Sequence, residues 1–321
     1  MKILFIGTGG FGYRHAMSVR ALRPNAKLFA VRDDHNDTTL GTGMELVPSI
    51  KAGLTLSPSA AIIALPPALH AAAAKSVLAE GIATYVEKPI AMRCADLKDA
   101  VITSELRNTT TMAGCNLRFL QGFKIIQKTI KRGHLGRVVH ASMSVGRWLP
   151  DWRRGRDYTE TYSAIAKMGG GVILDLIHEI DLARFWFGEF TNVSAVAGNT
   201  GALAINSEDH ADIILSSNKL DVCVHLDYLD REGHRSGRII MESGTLNYDA
   251  VNGQVFQFNV KTGVRKNIAR PEDFDFSASE RTAMAHFLDC VEAGIPTKLP
   301  LREGLSSLRL AERARQSAGI L

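Results

Sequence analysis

The sequence predicts an α/β chain in two parts: an N-terminal doubly wound parallel sheet over residues 1–117, then an α+β part over residues 118–321 with a large, open, mostly antiparallel sheet. Three observations predict it. In the first part, short apolar runs alternate with amphipathic stretches, the pattern of strand–helix–strand crossovers. The first run, residues 2–6, passes directly into Gly7-Thr8-Gly9-Gly10-Phe11-Gly12, a G-x-G-x-x-G spacing that puts a tight turn between a strand and a helix. After residue 118, strand-like runs follow one another separated by Gly, Asn, Ser and Asp rather than by helices, which suits antiparallel pairing.

Taken in order, the strand candidates of the first part are 2–6, 27–32, 61–65, 82–86 and 110–115, with helix candidates at 11–22, 67–79 and 94–106. The second part opens with a helix at 119–132 and a strand at 138–146, then a long apolar helix at 171–187. Strand candidates follow at 191–197, 211–217, 220–228, 237–242 and 254–260, and amphipathic segments 279–293 and 301–317 close the chain. Ligands of a doubly wound sheet bind beyond the carboxyl ends of its strands, and both Gly7 and Lys88 fall there.

At 321 residues the chain accommodates two domains, each with its own core, and two domains imply a cleft. Hydrophobic residues make up 45% and charged residues 22%, an ordinary balance for a globular protein, and no apolar run approaches the roughly 20 residues that span a bilayer. A membrane protein is therefore not expected, and a first strand beginning at residue 2 leaves no room for a signal peptide, which predicts a cytoplasmic protein. Cys94, Cys115, Cys223 and Cys290 form no C-x-x-C pair and no zinc-like group with His, so reduced thiols and no metal are expected. The net charge of +5 is spread along the chain, which argues against nucleic acid. The local bunching of Arg147, Arg153, Arg154 and Arg156 reads either as a receiver of an anionic substrate or as a solvated loop.

A pyrophosphate binds where backbone N–H groups and the positive end of a helix dipole converge. In the loop of Gly7, Gly9, Gly10, Phe11 and Gly12, Gly7 permits the turn, Gly9 keeps a side chain away from the phosphates, and Gly12 brings the helix close to the strand. Asp33, at the end of the second strand, is placed to accept hydrogen bonds from a ribose and so favours NAD; Arg32 beside it can turn to a 2′-phosphate, which leaves NADP open. Leu65 and Pro66 lie at the end of another strand, beneath the path of the dinucleotide. His70 after them either touches ribose or substrate or packs locally at a helix start.

Hydride transfer at a secondary alcohol needs a group to take the hydroxyl proton and a donor to steady the developing alkoxide. Lys88, within Glu87-Lys88-Pro89 directly after a buried strand, can do either, and the Lys88-Pro89 bond is a candidate cis peptide. A second constellation is Gly169-Gly170-Gly171 through His178. On a continuous helix Asp175, His178 and Asp181 or Leu182 share a face, so the carboxylate and imidazole read as a general acid/base pair or, alternatively, as a surface salt bridge. His178-Glu179 begins H-E-x-x-H, but Leu182 stands at the second histidine's position, so a zinc hydrolase is not indicated.

The set formed by the glycine loop, residues 64–70, Glu87-Lys88-Pro89, Asn116-x-Arg118 and the triple glycine to His178 resembles the Gfo/Idh/MocA oxidoreductases, the glucose–fructose oxidoreductase and inositol dehydrogenase group, essentially end to end. The resemblance implies a Rossmann domain, a second domain whose open sheet makes homodimers or homotetramers, and an NAD(P)-dependent dehydrogenase or reductase acting on a sugar, polyol or nucleotide-sugar. It implies cofactor contacts from Glu87 and Lys88, Lys88 on the reacting hydroxyl, and His178 as proton acceptor or donor. Asp175 corresponds to the aspartate before that histidine, though here three positions earlier where many members have four. Asn116 and Arg118 are implied substrate contacts. The stretch with Arg147, Trp148, Asp151, Trp152, Arg153, Tyr158 and Tyr162 is similar to members from surface-polysaccharide and acidic-sugar clusters. It reads either as a carbohydrate-binding loop, with Arg147, Trp148, Arg153 and Tyr162 on the substrate, or as a lid or oligomer contact. Two other readings within the resemblance are an NAD-dependent glycosidase and a non-catalytic sugar sensor.

Overall fold

The computed structural model describes residues 1–31, 43–153 and 155–321. Arg32, Asp33 and Arg154 lie outside the described residues. Residues group into two units: Met1–Cys115 with Glu280–Leu308, and Asn116–Ser279 with Arg309–Leu321.

The first unit holds β1 (Lys2–Ile6), α1 (Gly10–Leu22), β2 (Lys27–Val31), β3 (Glu45–Val47), α2 (Ile50–Thr55), β4 (Ala60–Ile63), α3 (Pro67–Ala79), β5 (Ala83–Val86), α4 (Lys98–Leu106) and β6 (Thr111–Ala113). Six parallel strands run in the order β3-β2-β1-β4-β5-β6. Ile3 to Ile6 and Ala60 to Ile63 are buried on both faces of their strands, as helix-covered parallel strands must be. Chain order reverses between β1 and β4, and Ala64 N–H continues the ladder onto Ile6 O at 2.9 Å, so the glycine loop and residues 64–66 share the switch point.

The second unit holds α5 (Gln121–Arg132), β7 (Val138–Gly146), α6 (Val172–Asp175), α7 (His178–Phe187), β8 (Asn192–Gly198), β9 (His210–Ser217), β10 (Leu220–Asp227), β11 (His234–Met241), β12 (Gly244–Asp249), β13 (Gln254–Asn259) and β14 (Val264–Asn267). Its 8-stranded sheet runs β14-β13-β12-β11-β7-β10-β9-β8 and is antiparallel throughout except for β7 beside β10. One face carries Ala141, Met143, Val145, Val222, Val224 and Leu226 into the core. An aromatic cluster of Phe123, Trp186, Tyr248 and Phe274, with ring centroids 5.4 to 5.7 Å apart, fixes α5 and α7 within the same unit.

Two closing helices, α8 (Phe276–Ala293) and α9 (Leu301–Ser317), complete the chain. The sequence places one division at 117/118, whereas Glu280–Leu308 groups with the first unit. The reason is physical: Ala113 N–H donates to Leu299 O at 2.9 Å, Thr297 Oγ1 donates to Thr111 O at 2.6 Å, and Phe287 packs edge-on against Tyr85.

The expected long helix at 171–187 is broken. Leu176 N–H still bonds Val172 O, but Glu179 N–H bonds Leu176 O, a three-residue step that tightens the chain at Leu176 and Ile177 and restarts it as α7 at His178. Strands β12 and β14 were not expected. A two-residue connection joins β11 to β12 and reads as a separator, and β14 is exposed at every position and shows no apolar alternation. No helix among the described residues is long and apolar enough to cross a membrane, and no group of three or more potential metal ligands occurs among them.

On the sheet's outer face His225 of β10 lies between Asp212 at 2.8 Å and Asp227 at 3.2 Å. The hydrogen bond to Asp227 is the largest influence, and with Asp212 it outweighs burial and lifts the imidazole to about 9. A raised basic group stabilises the fold fully below its unfolded value of 6.5 and loses that contribution as pH rises through about 9. All 3 tryptophans, Trp148, Trp152 and Trp186, lie in the second unit, so their fluorescence in urea reports this effect. The stability gap between the parent and His225→Gln should be widest at slightly acid pH and narrow steadily above neutrality.

Candidate functional site

At the switch point Gly7 adopts φ +99°, and a Cβ on Gly12 would lie 2.1 Å from Gly7 O. Only glycine lets α1 start this close to β1. Gly9 and Gly10 differ: a Cβ on either would meet no atom of the described residues within 4 Å. Nothing in the packing of the described residues requires those two glycines. A clear surface at the N-terminus of a 13-residue helix fits a pyrophosphate, whose oxygens would take the N–H groups there. Arg14 lies over the Phe11 ring at 4.2 Å and pairs with Glu280. Leu65 and Pro66 are half-buried at the neighbouring strand end.

Lys88 leaves the end of β5 half-buried, followed by a cis peptide to Pro89. Glu87 points inward and is 7% exposed. Its Oε1 lies 2.6 Å from His15 Nε2 on α1 and accepts from Tyr85 Oη at 3.2 Å, while its Oε2 accepts the Lys88 N–H at 3.1 Å. Burial alone would raise this carboxyl; the hydrogen bond and charge of His15, with Lys88, outweigh burial and hold it below the usual range. Both oxygens of Glu87, expected as a cofactor contact, bond partners inside the unit. For His70, read either as a ribose or substrate contact or as packed locally, Nδ1 lies 2.7 Å from Pro89 O and Nε2 2.7 Å from Leu65 O, so it braces the two loops. Burial lowers its pKa, only partly countered by those carbonyls.

In the second unit Asp175 is 1% exposed and accepts from Tyr162 Oη at 2.9 Å, Ser163 Oγ at 2.6 Å and Tyr228 Oη at 3.1 Å. Behind it Gly171, at φ +106°, leaves space for the buried Glu208 carboxylate, which accepts the Ile173 N–H at 3.3 Å. Burial raises the Glu208 carboxyl. His178 is half-buried at the start of α7. Since the helix breaks between them, Asp175 and His178 do not share the face of one continuous helix. Asp181, expected on that face, holds Arg118 at 2.7 and 2.8 Å, and Glu179 holds Arg235 at 2.7 Å. Arg118 is thus part of an internal ion pair, and Asn116 donates to Ser279 Oγ at 2.9 Å.

The aromatic stretch is tied to Asp175 through its own side chains. Arg153 lies 4.9 Å from the Tyr162 ring centroid and donates to Ser163 Oγ at 3.3 Å, so it touches two of the residues whose hydroxyls hold the carboxylate. Trp152 packs edge-on against Tyr228, the third. Trp148 carries Arg231 over its ring at 3.4 Å, and Arg147 is exposed. Sequence reading missed His15, Ser163, Glu208 and Tyr228. Only His15 left a signal, an ionisable residue on the buried side of α1 one turn after Gly12.

Elsewhere in this unit Ser144 Oγ lies 2.5 Å from His234 Nε2, and His234 Nδ1 lies 2.5 Å from Asp230 Oδ2. The order mimics a hydrolase triad. Ser144 sits mid-strand, however, with β10 on one side and β11 on the other, so its backbone is committed to the ladder and forms no oxyanion hole.

Two units of this build, one a glycine-loop doubly wound sheet and the other an open mixed sheet, define a dinucleotide-binding α/β protein. A family model described as the oxidoreductase family with an NAD-binding Rossmann fold matches residues 1–114, and the GFO/IDH/MocA C-terminal domain matches residues 123–247. The chain belongs to the Gfo/Idh/MocA oxidoreductase family. It is 27% identical over 200 residues to a 2,7-anhydro-N-acetylneuraminate hydratase of Mediterraneibacter gnavus, covering 60% of this chain and 51% of that one. It is 23% identical over 255 residues to a D-apiose dehydrogenase of Paraburkholderia graminis, covering 74% and 65%. The chain therefore spans about half to two thirds of the length of these curated relatives. Its fold matches that of a levoglucosan dehydrogenase solved with NADH and levoglucosan, at TM-score 0.86 and 15% identity over 99% of this chain and 97% of that one.

The Gly171 position tests the architecture around Asp175. A Cβ there would lie 2.1 Å from the Glu208 carboxylate on a backbone that L residues rarely adopt. Gly171→Ala should cost about 3 kcal/mol or more in urea unfolding followed by tryptophan fluorescence.

Proposed function

We propose that this chain transfers hydride between a nicotinamide dinucleotide and a secondary hydroxyl or carbonyl of a sugar, polyol or nucleotide-sugar. The observation that carries this reading is the arrangement of the first unit. The clear glycine loop and the Lys88 turn both lie at the carboxyl edge of one sheet, and Lys88 is anchored there by its own backbone bond to the buried Glu87. When bound, the dinucleotide supplies the hydride acceptor or donor. Gly7, Gly9, Gly10, Phe11, Gly12, Leu65 and Pro66 hold it. Lys88 donates to the reacting oxygen and steadies its charge, and the His178 imidazole takes the hydroxyl proton in oxidation and returns it in reduction. Asp175, fixed by three hydroxyl groups, orients this region rather than exchanging protons itself. NAD is the favoured cofactor on the ground of Asp33, with NADP open through Arg32.

The sugar class is supported by the named relatives, one acting on a carboxylated sugar derivative and one on D-apiose. Arg147, Trp148, Arg153 and Tyr162 are proposed substrate contacts: no ion pair with a carboxylate is present for Arg147 or Arg153 among the described residues, and rings beside cations suit a sugar with an anionic substituent. A second reading is favoured by the hydratase relative: turnover that retains the cofactor's oxidation state overall. A homodimer or homotetramer through the outer sheet face is supported by exposed Val196 and Ile214. Cytoplasmic residence, with Cys94, Cys115, Cys223 and Cys290 as reduced thiols, is part of this reading.

Quenching or enhancement of NADH and NADPH fluorescence should reveal tight binding, stronger for NADH. With a panel of hexoses, uronic acids, inositols and nucleotide-sugars, absorbance of the reduced cofactor should change with at least one substrate. Lys88→Ala and His178→Ala should each lower kcat by about 10²- to 10⁴-fold while NADH affinity stays near that of the parent. Full rates in both variants would rule out the assigned roles; substrate loss without absorbance change would select the second reading.

A further inference from the structure

Three structural facts in the first unit converge on Glu87. Its Oε1 meets His15 Nε2 at 2.6 Å, and His15 stands on α1 one turn behind the glycine loop. Its Oε2 accepts the backbone N–H of Lys88 at 3.1 Å. The space around it is filled: His15 is 2% exposed and packs edge-on against Tyr85, and a Cβ on Gly114 would lie 2.8 Å from Glu87 Cα. A single rigid carboxylate therefore bonds the helix that carries the glycine loop on one side and the backbone of the proposed acting lysine on the other. No looser connection would serve as well, because a close-packed interior passes a displacement on rather than absorbing it.

We infer that His15 and Glu87 are a positioning pair that couples occupation of the glycine loop to the placement of Lys88. This rests on the proposed function only in taking the occupant to be a nicotinamide dinucleotide. Neither residue touches the reacting atoms. His15 fixes the orientation of the Glu87 carboxylate, and the carboxylate fixes the Lys88 amide. A shift of α1 on docking of the pyrophosphate is carried to the start of the lysine side chain. The charge at this position is part of the device: a neutral amide in place of Glu87 accepts one bond from His15 or Lys88 less strongly than a carboxylate does. Tyr85 supplies a further donor to the same oxygen, and Glu280, paired with Arg14, is the neighbouring carboxylate of α8 in this unit.

The test uses the full chain and NADH as the probe. Three variants are needed: His15→Leu, which removes the donor at similar bulk; His15→Gln, whose amide nitrogen reaches a similar point; and the double variant His15→Leu with Glu87→Gln, which leaves no uncompensated buried charge. Acetylation of Lys88 by an amine-reactive ester, read by peptide mass spectrometry, is compared with and without saturating NADH. In the parent, NADH should change the Lys88 labelling rate several-fold. In His15→Leu and in the double variant that NADH dependence should vanish, although the double variant melts close to the parent and still binds NADH by fluorescence. His15→Gln should recover most of the dependence.

On any substrate found for the parent, the double variant should lose kcat by about 10²-fold with KM little changed, the size expected when a reacting group is misplaced by about 1 Å. If the double variant binds NADH and keeps the parent's labelling response, the coupling is wrong and the pair is structural only. A parent that never binds NADH would instead overturn the functional reading first, and the coupling with it.

Discussion

A carboxylate taken out of water must be matched by donors, and this chain buries one beside each of the side chains assigned to chemistry. Glu87 lies under Lys88 and Asp175 lies three residues before His178. Left unmatched, either would cost several kcal/mol or take up a proton. Each therefore dictates what surrounds it. Glu87 requires a donor from α1 and finds His15; Asp175 requires hydroxyl groups and collects them from Tyr162, Ser163 and Tyr228. Those donors come from segments far apart in sequence, so satisfying two charges also pins the glycine helix in one unit and the aromatic stretch in the other.

The same requirement explains which parts of the structure could be read from the sequence. Strands β1, β2, β4 and β5 are near-continuous apolar runs because both of their faces are covered, and their limits agree with the sequence pattern to within a residue or two. The glycine loop was legible because its residues answer to local backbone geometry: Gly12 cannot carry a Cβ beside Gly7 O. Lys88 was legible because it follows a buried strand and precedes proline. In each case the information lies within a few consecutive residues.

What stayed hidden depends on distant partners. Nothing near His70 announces that its two nitrogens meet the carbonyls of Leu65 and Pro89, and nothing near Arg118 announces Asp181. A polar residue at a strand end or after a motif looks the same from sequence whether it faces a ligand or an internal acceptor. Residues 280–308 were assigned with the second part by simple succession. Their grouping with the first unit follows from Leu299 extending the ladder at Ala113 and from Phe287 meeting Tyr85, long-range pairings that no local pattern encodes.

The helix that carries Asp175 ends before His178, and the spacing of the two bears on what that break does. On an α-helix, positions four apart stand one above the other, and a separation of three turns the second side chain part of the way round. This chain sets the two three apart. It also has a tightened turn at the same place, with Glu179 N–H reaching back only to Leu176 O, and a turn of three residues eclipses positions i and i+3. A three-residue spacing beside a tightened turn keeps the two positions near one another along the chain. A continuous helix through 171–187 would also have kept the two on one face, because a three-residue step on it leaves them only about 60° apart. The break therefore sets Asp175 and His178 on two successive helices, and the buried hydroxyl groups around Asp175 hold the carboxylate where the break begins.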